Sequence, residues 1–414
     1  MPIRILPAVV LVGFVLLGLL APPPGGAGDT AEIKIVSSLP RTGSARGQTD
    51  TIVEGIQLAL AEVKYALELN GKPHKLTYLD LDDATAAAGQ WTAEQETANA
   101  NLAKLDPDVM VYIGTYNSGA AKISMPILNR AKILMVSPAN TSPGLTKPNV
   151  GERDEPKRYR PSGEINYVRV VPTDDVQGPA GAEWAESLGT KRVYILDDNE
   201  AYGKGIADLF EAHARKIGLE VLGRETIDFK SQEFSALMTK IKRKNPQLIY
   251  FGGTTQTKAG QLIKDMVKAG MGDCKFMGPD GTYELAMIES AGAEVCNGRF
   301  LCTFGGLTPD KMTDTPGGKT FVENFKKYYG REPAEAYALY GYECGRVAIE
   351  AIRKAGKKDR DAIRAAGLGI KNFPGVTGVW SFDENGDTTQ QEMSGIAVEG
   401  GKFVFAKKLI VSKK

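Results

Sequence analysis

Three short stretches carry the residues best suited to hold a small charged molecule: GTYNSGAA beginning at Gly114, SPANTSPGLT beginning at Ser137 and MGPDG beginning at Met277. They supply hydroxyls, one acid and, at a helix start, backbone N–H groups that have no helical partner. Each follows an apolar run that reads as a buried strand: residues 109–113, 133–136 and the stub 275–276. In an open α/β sheet the loops at the carboxyl ends of the strands face a common crevice. Hydroxyls and N–H groups there can receive a carboxylate while the acid receives an ammonium, the outline of a site for a small zwitterion.

Each residue also has a plainer reading. Ser118 precedes a helical pattern over residues 120–128, so its hydroxyl and the first N–H groups can take a carboxylate with help from the helix dipole. The same serine could simply cap that helix, worth about 1 kcal/mol. Asp280 would be neutralised by an ammonium, or it is a turn aspartate in PDG. Thr141 could touch ligand or stabilise the SPG bend, and Tyr202 could touch ligand or fill the core. Residue chemistry alone leaves these pairs open.

Catalytic chemistry finds little support. The chain has two histidines: His74 reads as part of a turn after NGKP, and His213 as a solvent-facing position in a helix. Neither adjoins a nucleophile or a ligand cluster, so no catalytic residue, metal or cofactor is expected. Asp80, Asp82 and Asp83 lack the glycine-broken loop and distal glutamate of a calcium loop and read as solvated strand-end residues. YGKGIAD at Tyr202 has Asp208 where a dinucleotide fingerprint needs its third glycine.

At 414 residues the chain exceeds one ordinary core, so two domains are expected. Lysine and arginine number 51 against 50 aspartates and glutamates, which gives no electrostatic case for nucleic acid or an anionic membrane. Arg4, an uncharged apolar run over 8–20 and APPPGGAG from Ala21 read as an export signal over residues 1–28. The apolar run is shorter than the ~20 residues of a membrane-spanning helix. The mature chain is thus expected to be soluble outside the cytoplasmic membrane. Four cysteines in an exported chain allow disulfides. Cys274 and Cys296 each precede a predicted strand and could bridge, whereas Cys302 and Cys344 read as buried thiols.

Between these signals the chain alternates strand and helix. Residues 33–39 are apolar, and residues 51–69 place Ile52, Val53, Ile56, Leu60, Val63 and Leu67 at helical spacing. Strands at 75–81, 192–196 and 247–251 interleave with helices at 91–104, 206–217 and 262–269. Such alternation means parallel sheets with helices on both faces. The segment from Asn149, NVGERDEPKRYRPSGEIN, has no periodicity and reads as a surface loop, with a new αβ series starting near Val170.

Nine motifs in order, SSLPRTG, LDLDDAT, IGTYNSGAA, SPANTSPGLT, VVPTDDVQGPA, DDNEAYGKG, YFGGTTQTKAG, FMGPDG and TGVWSFDENGD, span about residues 33–411. Their order resembles that of the branched-chain amino-acid-binding proteins of ABC transporters. The resemblance implies an α/β fold of two doubly wound, Rossmann-like lobes joined by a three-stranded hinge, the type I periplasmic binding protein. Mapped here, lobe one is 31–170 plus 304–374 and lobe two 171–303 plus 375–414. It further implies a monomer without catalytic activity that captures an amino acid and delivers it to an ABC permease in the membrane. A receptor of the same fold that signals through a partner is the alternative.

By the same resemblance, Ser118, Ala139 and Thr141 on lobe one would hold the amino acid's α-groups, and Tyr202 and Asp280 would engage it from lobe two. Two departures concern the ligand's side chain. Arg46 stands where the family usually has an aromatic residue, and Thr254 and Thr255 follow Gly252 and Gly253 where a tyrosine is common. If Arg46 faces the pocket, an acidic or hydrogen-bonding ligand is favoured over leucine; otherwise it points to solvent or pairs with an acid.

Overall fold

The computed structural model describes residues 31–411. The expected export signal lies outside the described residues. Among those described, no helix is long and apolar enough to cross a membrane.

Two sheets organise the chain. In the first, the strand Ala31–Leu39 pairs in parallel with Lys72–Asp82 and Val109–Gly114, and Leu134–Ser137 and Tyr167–Arg169 continue the order. A strand buried on both faces must be apolar on both. Accordingly Ile33 and Ile35 join one core with Ile52 and Ile56 of the helix Arg46–Glu62. Val36 joins another with Ala100 of Ala93–Leu105 and Met125 of Ser118–Arg130. Helix Arg46–Glu62 packs on Ala338–Ala355 through glycine: a Cβ on Gly341 would stand 2.0 Å from the Ile52 carbonyl oxygen, and one on Gly55 2.1 Å from that of Ala338.

The second sheet runs Glu220–Thr226, Arg192–Asp197, Leu248–Gly252, Lys275–Gly278 and Phe300–Gly305 in parallel, then Met393–Glu399 and Lys402–Leu409 antiparallel. Helices Asp174–Ser187 and Ala201–Lys216 cover one face, with Trp184 and Phe210 in a shared core with Val193 and Tyr250. Phe304 and Gly305 still pair with Ser394 and Met393, so the second sheet extends past the join expected at 303. The third passage also differs: Phe373–Gly375 and Gly378–Trp380 form their own hairpin, and Asp387 bridges Arg169 at the edge of the first sheet.

Three local expectations are corrected. The helix expected over 51–69 ends at Glu62, and Ala66–Leu69 is a strand paired antiparallel with Lys72–Asp82. Asn70 (φ 49°) and Gly71 (φ 75°) make the tight turn between them, and an Asn-Gly pair favours that left-handed geometry. The four cysteines are all free and buried, so Cys274 and Cys296 do not bridge. Both sit in the main apolar core, where burial pushes their thiols to about 12 and 11 respectively, away from the reactive thiolate. Asp83, expected in solvent, is fully buried beside Glu96, and burial raises the pKa of both carboxyls.

At the first passage between sheets lies the buried ion pair of Arg169 and Asp387, Nε to Oδ1 2.7 Å. The guanidinium also donates to the carbonyls of Asn140 (2.9 Å) and Ser142 (2.8 Å) and to the Thr146 hydroxyl. Thr146 in turn donates to Asp387 Oδ2 at 3.0 Å. Arg169→Leu strands the Asp387 carboxylate in the interior and should lower the unfolding free energy by about 3–5 kcal/mol in denaturant titration. A loss below ~1 kcal/mol, the range of exposed pairs, would remove the pair from this role.

Candidate functional site

The loops expected to converge do so, because the strands that launch them end side by side. Tyr116, Asn117 and Ser118 leave the strand Val109–Gly114, Ala139 leaves Leu134–Ser137, Thr254 leaves Leu248–Gly252, and Asp280 and Gly281 leave Lys275–Gly278. Together with Tyr202 and Tyr337 these residues line one cavity of about 20 Å³ between the two sheets' carboxyl ends. That is room for about one water. Of the residues expected to bind ligand, Ser118, Ala139, Tyr202, Thr254 and Asp280 are thus brought together. Thr141 lies just behind, its carbonyl accepting the Asp174 N–H at 2.9 Å and its buried hydroxyl unpartnered.

Arg46 is not part of this group. Its side chain is 67% exposed and pairs with Asp50 one helical turn on, at 3.4 Å. The helix places position 46 on the outer face, so no guanidinium reaches the cavity from there, and the case for an acidic ligand built on Arg46 falls.

The loop from Ser137 is held from inside. Ser137 Oγ accepts the N–H of Asn140 at 2.9 Å and of Ala139 at 3.3 Å, and the Asn140 amide donates to the Tyr116 carbonyl at 3.0 Å. Ser118 is the first residue of Ser118–Arg130, and its buried Oγ accepts the Ser142 N–H at a long 3.4 Å. Asn117 does not cap that helix with its side chain, and its Oδ1 is buried without a partner. A helix start with unclaimed N–H groups, a serine hydroxyl and an unpartnered threonine hydroxyl together suit an anion.

Asp280 faces this from the second sheet. The Tyr202 hydroxyl donates to Oδ1 at 2.5 Å and the Tyr337 hydroxyl donates to Oδ2. Tyr202 also accepts the Gly281 N–H at 3.1 Å, which requires close approach: a Cβ on Gly281 would meet the Tyr202 ring at 3.0 Å. Burial raises the Asp280 pKa while the two phenols oppose the shift. Asp174, buried with neither carboxylate oxygen in a hydrogen bond of ordinary length, is raised well above the usual range, by burial first and by the charge of Asp280 second, while the nearby Thr141 hydroxyl opposes the shift. Two buried acids without a cation between them suit a ligand ammonium.

Sequence reasoning missed Tyr116, Tyr337 and Asp174. Asp174 lies inside a motif already singled out, VVPTDDVQGPA, as the first of two aspartates before a helix. Tyr337 comes from the return segment of the chain, and no local pattern ties it to Asp280. The histidines stay outside the site: His74 is buried in the strand Lys72–Asp82, and His213, expected in solvent, is mostly buried with Nε2 3.0 Å from Glu183. Among the described residues no cluster of histidine, cysteine and acids could hold a metal ion.

Next to the small cavity a larger one of about 820 Å³ opens between Ser44 and Gly47 on one side and residues 255–261 and 284–290 on the other. Two of its acids are raised mainly by burial, Glu284 to about 8 and Glu335 to about 7. Elsewhere Asp198 and Glu343 are likewise pushed up by burial to about 7. An acid whose folded pKa exceeds its unfolded value, 4.5 for the glutamates and 3.8 for the aspartate, favours folding below that value, and the contribution is lost as pH rises through the folded pKa. The ligand-free chain should therefore melt at higher temperature at pH 5 than at pH 8.5. A thermal midpoint that is flat or rises across that window would show these acids to be ionised without penalty.

Against known proteins, the family model described as periplasmic binding protein matches residues 32–402. The chain is 29% identical over 362 residues to the leucine-, isoleucine-, valine-, threonine- and alanine-binding protein of Pseudomonas aeruginosa, covering 87% of this chain and 88% of that one. It is 28% identical to the Leu/Ile/Val-binding protein BraC3 of Rhizobium johnstonii, over 91% and 94% of the two chains. Among solved structures, the leucine-binding protein LivK of Thermotoga maritima superposes with a TM-score of 0.78 at 28% identity, covering 91% of this chain and 98% of that one. A solute-binding protein of an R. palustris ABC transporter in complex with benzoate shares the fold, with a TM-score of 0.73 at 19% identity over 92% and 98% of the chains. With the match running through both sheets, the chain belongs to the periplasmic binding protein family.

Proposed function

We propose that this chain is the extracytoplasmic solute-binding component of an ABC importer, which captures an amino acid between its two lobes and delivers it to a membrane permease. One observation carries the reading: Ser118, Ala139, Tyr202, Thr254 and Asp280, from separate strand-end loops of both sheets, line one buried cavity. The relatives and solved neighbours named for leucine, isoleucine and valine support an amino acid as ligand.

In this reading the carboxylate is received by the start of the helix Ser118–Arg130, by the hydroxyls of Ser118 and Thr141 and by the backbone at Ala139. The ammonium is received by Asp280 with Tyr202 and, behind them, Asp174. Lobe one is residues 31–170 with the stretch after 305, and lobe two is 171–305 with the last two strands. Export by the N-terminal segment and action as a monomer belong to the same proposal.

A cavity of about 20 Å³ cannot admit an amino acid, so the lobes must part first. Contacts across the closed cleft include the Gln48 amide donating to the Tyr283 carbonyl at 2.9 Å, Glu335 accepting the Leu285 N–H at 2.9 Å, the Tyr337 hydroxyl donating to Asp280, the Lys147–Asp175 ion pair at 2.7 Å and Phe304 packed against Tyr337. Shifting a hinge from mostly open to mostly closed requires a differential affinity of about 5.5 kcal/mol. Several charge-assisted hydrogen bonds completed only on closure can supply that.

Titration calorimetry against the twenty amino acids should find at least one that binds. Asp280→Ala and Ser118→Ala should each weaken that ligand at least tenfold while the circular dichroism spectrum stays native. Undiminished affinity in both variants would reject this site.

A further inference from the structure

The cleft holds a second set of polar groups that the clasp around Asp280 leaves unused. Glu284 lines the larger cavity, is 1% exposed, and has no hydrogen-bond partner on either carboxylate oxygen. Thr255 lines the same cavity, buried, with its hydroxyl unpartnered, and neither end of the Gln256 amide is bonded. The Thr255 hydroxyl is near enough to ease the charge on Glu284 yet makes no hydrogen bond to it of ordinary length.

A structural duty does not account for Glu284. It stands at the N-cap of the helix Leu285–Ala291, where an acid could cap, but its side chain does not. The first N–H of that helix, at Leu285, is instead taken by Glu335, from the far side of the cleft. A buried carboxylate with no donor is costly, and proteins ordinarily pair or remove it. Glu335 and Glu289 add negative charge to the same cavity wall. Lys258 is the cation among the lining residues, and among the described residues it has no ion pair with an acid within 4.0 Å.

The position suits the far end of a ligand whose α-ammonium sits at Asp280. Asp280 and Glu284 lie four residues apart on one short segment, and Thr254 and Thr255 line the small and large cavities in turn. Tyr116, a wall of the small cavity, donates its hydroxyl to Gln48, whose amide donates to the Tyr283 carbonyl beside Glu284, and its pKa is raised by burial first and then by the charges of Glu284, Asp280 and Glu335. Leu285, Ala286 and Ala334 give the larger cavity an apolar flank for a methylene stem.

We infer that the larger cavity is the side-chain subsite, that Glu284 with Thr255 and Gln256 receives a cationic group there, and that the ligand is a basic amino acid ending in an ammonium or guanidinium. This rests on the amino-acid capture proposed above. It reverses the polarity suggested by Arg46, which points away. A ligand cation relieves the unpaired Glu284 as the lobes close, and its stem displaces water from the apolar flank.

The test is calorimetry on the purified chain with L-lysine and L-arginine against L-norleucine, L-leucine and L-glutamine. Norleucine has lysine's carbon chain without the terminal amine. Lysine or arginine should bind at least tenfold more tightly than norleucine, and Glu284→Gln should bring the two within about threefold by weakening the basic ligand. The comparison on the unmodified chain stands alone if that variant does not fold. Equal or tighter binding of norleucine, leucine or glutamine overturns the inference and leaves amino-acid capture intact, as does a preference for lysine that survives Glu284→Gln. Binding of none of these overturns the inference, and amino-acid capture falls with it only when all twenty amino acids also fail to bind.

Discussion

The buried pair of Arg169 and Asp387 is the constraint on which the rest depends. Arg169 ends the last strand of the first sheet, Asp387 lies in the last passage toward the second, and the main chain bridges at the same point. One guanidinium thus fastens two of the connections between lobes, and its other donors hold the carbonyls of Asn140 and Ser142. Those carbonyls flank Thr141, so the loop meant for ligand is positioned by the same residue that fixes the hinge. A guanidinium can do this because its five donors lie in a rigid plane, whereas a lysine would satisfy one or two of the acceptors. The pair need not add net stability over an apolar substitute. What it supplies is a single geometry in which strand end, loop and hinge agree.

Around that fixed frame acids outnumber bases in the cleft, where Lys258 is the one cation lining the larger cavity among the described residues. Asp174, Asp280, Glu284 and Glu335 are buried, and burial raises each of them. Closing the lobes brings Glu335 against the start of the helix that Glu284 heads, so closure crowds acids together as it removes water, and burial favours their neutral forms until a cation pairs with them. Such a cleft is not neutral toward its contents: a cation lowers the cost of closing and an anion raises it. The helix start at Ser118 is the local exception, and in the reading proposed above it receives the ligand carboxylate while the acids receive positive charge.

Much of this was legible from the chain alone. The alternation of apolar runs and helical spacing specified parallel sheets, which holds for the central strands of both sheets though each carries antiparallel strands at an edge, and strand-end loops in such sheets converge whatever their sequence, which is why Ser118, Ala139 and Asp280 could be placed together. What escaped had physical causes. Helix spacing continued through Leu67 although Asn70-Gly71 signalled a hairpin, because a strand's alternate positions can coincide with a helical stripe over four residues. Cys274 and Cys296 sit near neighbouring strands, yet proximity in topology does not set side-chain direction. Arg46 could face the pocket or solvent by its position in a loop, and the helix that begins at that residue turns it outward onto Asp50. Asp83 read as a solvated strand-end residue and Asp174 and Glu284 drew no reading, since only the folded chain reveals that all three are buried without a hydrogen-bond partner.

The link between Asp280 and Tyr337 shows how the same acid can serve both closure and capture. A carboxylate offers about four acceptor positions on two oxygens, and the phenols of Tyr202 and Tyr337 use one on each. Tyr202 belongs to the same lobe as Asp280, whereas Tyr337 precedes a helix packed on the first lobe. In the proposed hinge closure, the bond from Tyr337 would be made as the cleft shuts. It leaves acceptor positions for an ammonium, so latch and ligand need not compete. An ammonium beside Asp280 holds it ionised against the effect of burial, and an ionised acceptor strengthens the phenol bond across the cleft. Ligand and closure then reinforce each other through one carboxylate, which is the differential binding that a hinge requires.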